Sequence, residues 1–221
     1  MTRRPDKLSR KQRQRRSTSR KMTFVTVVVL LVGLLTAADR MGLFGRIRGS
    51  ARPNVHTAQW AAQDYAKYNG KSCRVVRVVD GDTLDVSIPD QRWSDTRIRL
   101  WGVDTPETVK PNTPVQYFGP QASHFTKQAA MGKTVRLELV PGDTRGKYGR
   151  LLAYVYLPDG TMLNRELVRM GYAYADPRYP HPHAGEFRRL QRQAMAKRIG
   201  LWKGVQRSDL PYYYRDSLKL P

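Results

Sequence analysis

The chain reads as an α+β protein, built mainly on a five-stranded β-barrel with three flanking α-helices and an N-terminal transmembrane or signal helix. Three observations predict this. Five short runs rich in Val, Leu and Ile lie between residues 74 and 157, bounded by Gly, Pro and Asp turns. One helical pattern interrupts them and two more follow. An uncharged apolar run occupies residues 22–38.

The strands are expected at 74–80, 83–88, 96–103, 134–140 and 150–157, with the Asp80-Gly81-Asp82-Thr83 turn joining the first two. Gly119-Pro120 opens the first helix, since proline suits a first helical turn. Phe118, Ala122, Phe125 and Ala129 fall at helical spacing within it. The second helix, 162–170, is stopped by Gly171. The third, 186–198, aligns Phe187, Leu190 and Ala194 and ends near Gly200. Three strands, a helix, two strands and two helices suit a small closed barrel, the OB-fold.

Ahead of this domain the chain changes character twice. Residues 1–21 are a Lys/Arg/Ser/Gln tract, predicted to be a disordered cytoplasmic tail. Residues 22–38 are short for a membrane span and long for a signal-peptide core. The long basic tract favours an uncleaved signal anchor; Thr36-Ala37-Ala38 offers a cleavage site for the alternative, a secreted protein. Either way the positive-inside rule exports the rest, to the periplasm or the cell exterior. Residues 39–71 are expected to be a linker with a short helix near 59–68, residues 72–204 the compact domain, and 205–221 a C-terminal tail.

The 221 residues include 40 Lys+Arg against 18 Asp+Glu, a net charge of +22. The domain is basic in its own right, so a polyanionic partner is expected. A single cysteine, Cys73, excludes an intrachain disulfide and a multi-cysteine zinc site. It is expected to be a buried, small apolar side chain.

Four pieces carry candidate chemistry: Asp80-Gly81-Asp82-Thr83, Arg99, Asp104-Thr105-Pro106-Glu107-Thr108 and Lys147-Tyr148-Gly149-Arg150. Asp82 and Asp104 sit at strand ends, where two carboxylates can converge on a hard cation. Arg99 and Arg150 supply planar forks that match phosphate oxygens in pairs. Glu107, beyond a proline bend, is placed to act on water as a general base. Taken singly, each piece also reads as an ordinary turn, helix start or solvated strand face.

In this order and spacing they resemble the staphylococcal nuclease family, from about Arg74 to Trp202. The most specific runs are Val103-Asp104-Thr105-Pro106-Glu107-Thr108 and Tyr148-Gly149-Arg150 with Leu152-Ala153-Tyr154-Val155-Tyr156; Phe118-Gly119-Pro120-Gln121-Ala122-Ser123 adds to them. The resemblance implies an OB barrel flanked by three helices and hydrolysis of DNA and RNA with little sequence preference. It implies 5′ P–O cleavage leaving 3′-phosphates. One Ca²⁺ would be held by Asp82, Asp104 and the backbone carbonyl of Thr105. Glu107 would act on the attacking water, and Arg99 and Arg150 would stabilise the transition state. Lys147 and Tyr148 would hold the neighbouring phosphate, and Asp80 would sit just outside the metal shell. A monomer acting preferentially on single strands is expected, with no protein partner.

Gly146 departs from the family pattern, where an acidic residue is expected, and Trp101 and Gly102 replace aliphatics. Residues 172–183 match poorly, leaving Tyr174 and Tyr179 as alternatives for an aromatic against the nucleobase. His181-Pro182-His183 reads as a loop and helix cap rather than a metal site. The alternative function is a non-catalytic OB module that binds single-stranded nucleic acid; losing the arginines or carboxylates would mark it, and all are present here.

Overall fold

The computed structural model describes residues 55–109 and 113–220, with side chains from Gln59 onward. The predicted basic tail, the apolar run and the first part of the predicted linker lie outside the described residues. Among the described residues no helix is long and apolar enough to cross a membrane.

Five strands close a barrel: β1 (Ser72–Asp80), β2 (Thr83–Val86), β3 (Thr96–Leu100), β5 (Thr134–Glu138) and β6 (Leu151–Tyr156). Their order around the barrel is β1-β2-β3-β6-β5. All neighbours are antiparallel except β3 and β6, which run parallel. Alternation explains the closure. Val75, Leu84, Val86, Ile98, Leu100, Val135, Leu137, Leu151, Ala153 and Val155 all turn inward and form one buried core. This mixed five-stranded barrel is consistent with the predicted OB architecture.

Four helices accompany it among the described residues: α1 (Val55–Tyr68), α2 (Gly119–Ala130), α3 (Leu163–Arg169) and α4 (Ala184–Ala196). The last three are those expected from helical spacing. Helix α1 is the short helix expected near 59–68, longer at its start, and it belongs to the compact unit rather than to a linker. The compact unit starts at Val55. Tyr68, at the end of α1, is fully buried in the barrel core. Arg145 completes the attachment. It donates to both carboxylate oxygens of Asp64 on α1 (2.7 and 2.8 Å) and of Asp90 (2.6 and 3.0 Å). The two carboxylates hold the Arg145 guanidinium above its usual pKa, and Arg145 draws Asp90 below the carboxylate range against the opposing effect of burial.

The predicted third strand, 96–103, is in fact two. Gly102 takes a left-handed φ of 75° and turns the chain out of the barrel after Leu100. Residues Val103–Asp104 then form a separate strand, β4, paired with β7 (Tyr174–Ala175). A side chain at position 102 is also excluded by contact, because a Cβ there would lie 2.4 Å from the His181 ring. The third predicted helix starts and ends two residues early. Arg198 adopts φ 49° and closes it, and a 3-10 turn, Gly200–Lys203, follows. Residues beyond 204 pack on the domain through Leu210 and Tyr214, both buried with Tyr174, Leu201 and Trp202. Cys73 is buried as expected, and burial pushes its thiol up to about 11.

Arg145→Met should detach α1 from the barrel by leaving two partly buried carboxylates unpaired. Breaking a fully buried pair costs about 3–5 kcal/mol. Here the three side chains keep some solvent contact, so about 1–3 kcal/mol is expected in urea unfolding. A loss below about 0.5 kcal/mol, the scale of ordinary surface substitutions, would show that α1 is held by its other contacts, such as Tyr68 in the core and Lys67 on the Pro89 carbonyl.

Candidate active site

The site is assembled where two turns meet at one end of the barrel. Asp82 opens β2 from the Asp80-Gly81-Asp82 turn and is almost fully buried. Its Oδ2 accepts the backbone N–H of Thr105 at 2.8 Å, and its Oδ1 accepts the Thr83 hydroxyl at 3.0 Å. Asp80 ties the same two turns together. It accepts the N–H of Gly81 (2.8 Å), the hydroxyl of Thr108 (2.7 Å) and the N–H of Thr108 (3.3 Å). Burial pushes the Asp80 carboxyl above the usual range, and neighbouring Glu107 adds to the rise while Thr108 opposes it. Gly81 admits no larger residue without rearrangement, since a Cβ would lie 2.8 Å from the Thr105 side chain. From behind, Thr126 on α2 donates to the Gly81 carbonyl at 2.6 Å.

Arg99 lies between the two aspartates. Its Nη1 contacts Asp82 Oδ2, and its Nη2 donates to Asp104 Oδ1 at 2.5 Å. Strand register explains the first contact, because Arg99 is paired with Thr83, next to Asp82. Arg150 approaches from the parallel neighbour, β6. Arg99 is level with Leu152 across that pair, so Arg150 lies just before the matching position. Its guanidinium donates to Thr83 Oγ1 at 3.4 Å. Burial holds Arg150 below its ordinary pKa, with the like charge of Arg99 as the next cause. Two arginines thus lie close together in a half-buried corner, beside the carboxylates that Arg99 already pairs.

Glu107 lies beyond Pro106 and is partly exposed. Its Oε1 accepts the N–H groups of Thr108 (3.2 Å) and Val109 (3.1 Å). Its backbone is clasped by Gln116, whose Oε1 accepts the Glu107 N–H and whose N–H donates to the Glu107 carbonyl, both at 2.9 Å. Lys147 and Tyr148 ride on the turn before Arg150. The Lys147 ammonium sits 4.8 Å from the Tyr148 ring, and Arg150 sits 5.7 Å from the same ring. Of the two tyrosines left open by sequence, Tyr174 is buried against Trp202, whereas Tyr179 is exposed. Only Tyr179 presents a ring to solvent.

The donor set suits a hard divalent cation. Asp82 and Asp104 already share one positive group, the Arg99 guanidinium. Thr105 beside them has a buried hydroxyl with no hydrogen-bond partner. Oxygen donors of this kind fit Ca²⁺, which also accepts carbonyl and water ligands. Among the described residues no three His, Cys, Asp or Glu side chains converge, so two carboxylates would need such supplements.

Residues 97–204 match the family described as staphylococcal nuclease homologue. The chain is 46% identical over 138 residues to a thermonuclease of Staphylococcus intermedius, spanning 61% of this chain and 77% of that protein. It is 42% identical over 134 residues to the thermonuclease of Staphylococcus hyicus, spanning 59% and 76%. It is 38% identical over 153 residues to endonuclease YncB of Bacillus subtilis, spanning 66% and 69%. The chain belongs to the staphylococcal nuclease family.

Within that family's frame, the departures at Trp101 and Gly102 have a structural account. Trp101 stacks on Tyr154 (6.0 Å between rings), and His181 fills the space that the missing Gly102 side chain leaves. The Tyr154 hydroxyl bonds His181 Nδ1 at 2.9 Å. His183 stands at the N-cap of α4, but its side chain makes no cap; it lies 3.4 Å from Glu186 and edge-on to Tyr154. Nothing in the structure explains Gly146. Two residues near Asp104 escaped sequence reasoning, Arg178 and Tyr213. The first lies in the poorly matching segment and the second outside the matching region.

Burial, helped by the charge of His183, pulls the His181 pKa down from 6.5 to about 4. Between those values the unfolded chain binds a proton that the fold does not. Stability is therefore intact above pH 6.5 and is lost as pH falls toward 4. His181→Gln should flatten the Tm-versus-pH curve in that window, and parallel curves would remove His181 as the cause.

Proposed function

We propose that the protein is a calcium-dependent nuclease that hydrolyses phosphodiester bonds of DNA and RNA with little sequence preference. The observation that carries this reading is the meeting of Arg99 and Arg150 beside the Asp82–Asp104 pair. A phosphodiester brings the matching charge. Its non-bridging oxygens suit two guanidinium forks, and phosphoryl transfer depends chiefly on positioning and charge stabilisation. The names of the relatives, thermonuclease and endonuclease, support the same chemistry.

The residue roles are part of this proposal. Asp82 and Asp104, with the Thr105 carbonyl, would hold Ca²⁺, which when bound offsets phosphate charge and lowers the pKa of water. Glu107 takes the proton from the attacking water. Arg99 and Arg150 bind the phosphoryl oxygens and stabilise the charge that builds there. Water adds to phosphorus, the bond to the 5′ oxygen breaks with that oxygen taking up a proton to leave as a 5′-hydroxyl, and a 3′-phosphate remains. To reach the phosphate, Arg99 must leave one or both carboxylates. A cation held by Asp82 and Asp104 would offset that loss of charge pairing. Asp80 acts through the turn geometry, not on the reactants. Lys147 and Tyr148 are placed to grip the adjacent phosphate, and exposed Tyr179 to stack on a base, an interaction worth about 1–3 kcal/mol. Export by the apolar run 22–38 is part of this reading and rests on sequence alone.

The test is degradation of denatured DNA by the full-length chain in mild detergent, with Ca²⁺ and then with excess EGTA. Cleavage with Ca²⁺ only is expected. Cleavage in both would remove the calcium, and binding without cleavage would make the protein a nucleic-acid-binding module. Glu107→Gln should lower kcat by about 10²–10⁴-fold. Arg150→Lys should cost about 10²–10³-fold, since an ammonium cannot replace the two-pronged contact. Both variants should unfold at nearly the wild-type temperature. Undiminished turnover by either would withdraw the role given to that residue.

A further inference from the structure

Residues 205–220 lie beyond the matched family region, yet they fold back onto the strand that carries Asp104. Leu210 and Tyr214 are buried, and the Tyr214 hydroxyl donates to the Ala175 carbonyl at 2.5 Å. Ala175 and Tyr174 form β7, which pairs Ala175 with Val103 and Tyr174 with Asp104. The tail therefore grips the strand behind Asp104.

It also reaches Asp104 directly. The Tyr213 hydroxyl donates to Asp104 Oδ2 at 2.7 Å. Arg178 lies 3.2 Å from the same oxygen, with its guanidinium 4.5 Å from the centre of the Tyr213 ring. Asp176 fixes Arg178 in turn, at 2.6 Å. The other oxygen, Oδ1, faces Arg99 and through it Asp82. The two oxygens of Asp104 are thus divided: Oδ2 belongs to the tail and Arg178, and Oδ1 to the site.

We propose that the C-terminal tail is a working part of the site, with Tyr213 a positioning residue that occupies Asp104 Oδ2 and leaves Oδ1 alone to meet a cation. This deepens the nuclease reading and rests on Asp82 and Asp104 being the cation ligands. A carboxylate held on its outer oxygen cannot rotate away or chelate with both oxygens. It meets the ion already oriented, as outer partners of metal ligands generally ensure. Arg178, stacked on the Tyr213 ring, shares the task at the same oxygen.

The experiment is calorimetric titration of CaCl₂ into the full-length chain in detergent, comparing wild type, Tyr213→Phe, Tyr214→Phe and Arg178→Gln. Tyr213→Phe keeps the ring and loses only the hydroxyl. Its Kd for Ca²⁺ should rise about tenfold, the lower end of the usual effect of losing such a partner. Its kcat should largely recover at saturating Ca²⁺. Arg178→Gln should shift Kd in the same direction. Tyr214→Phe loses a buried tail hydrogen bond that does not touch Asp104, so it should lower Tm and leave the Ca²⁺ Kd unchanged. An unaltered Kd in Tyr213→Phe, with Ca²⁺ bound normally by the wild type, overturns the tail's role while the cation reading stands. Equal weakening in Tyr214→Phe overturns it too, by making the tail a scaffold only. No Ca²⁺ binding by the wild type removes the cation reading, and this inference with it.

Discussion

Arg99 spans two carboxylates that would otherwise repel each other across the mouth of the barrel, and the surrounding structure is arranged to keep it there. Asp82 has little freedom: its oxygens are taken by the Thr105 N–H, the Thr83 hydroxyl and the guanidinium. Asp104 is pulled from the opposite side by Tyr213 and Arg178. The pairing holds both carboxylates in place at the barrel's end. Arg150 is left beside them with its positive charge, because the parallel β3–β6 register brings it next to Arg99.

The barrel makes this geometry repeatable. Asp82 and Arg99 lie on neighbouring antiparallel strands, so their relation is set by a ladder rather than a loop. Asp104 is the exception, because the chain leaves the barrel at Gly102 before reaching it. That departure requires a small residue at 102, a ring from His181 packed where a side chain would otherwise be, and a second strand, β7, to pair with β4. The mobility gained by leaving the barrel is removed again by β7 and by the tail behind it. Helix α2 does the same for the other turn, through Thr126 and Gly81.

Much of this was readable in the residues. Alternation of Val, Leu and Ile gave the five barrel strands, and helical spacing with Gly and Pro boundaries gave α2, α3 and α4. The motif residues Asp80, Asp82, Arg99, Asp104, Glu107 and Arg150 converge at one end of the barrel, although sequence alone placed Arg99 on phosphate and not on the aspartates. What escaped prediction depends on contacts distant in sequence. Asp64 and Arg145 are 81 residues apart, so nothing local marks α1 as part of the domain. Tyr213 and Asp104 are 109 residues apart, so the aromatic run Pro211-Tyr212-Tyr213-Tyr214 could suggest packing on the domain but not which side chain it reaches. The break at Gly102 was hidden because Trp101 and Val103 continue an apolar run, and only the positive φ separates β3 from β4.

The central claim is that Arg99, which spans both aspartates here, would be freed for phosphate if Asp82 and Asp104 held a cation. The most direct measurement is a crystal structure with Ca²⁺ and a short phosphorothioate oligonucleotide, which is cleaved slowly enough to be seen. The account predicts a metal ion between Asp82 and Asp104, bound by one oxygen of Asp104, with Arg99 turned onto the phosphate beside Arg150. A metal bound elsewhere, or Arg99 still spanning both carboxylates with the oligonucleotide in place, would contradict it.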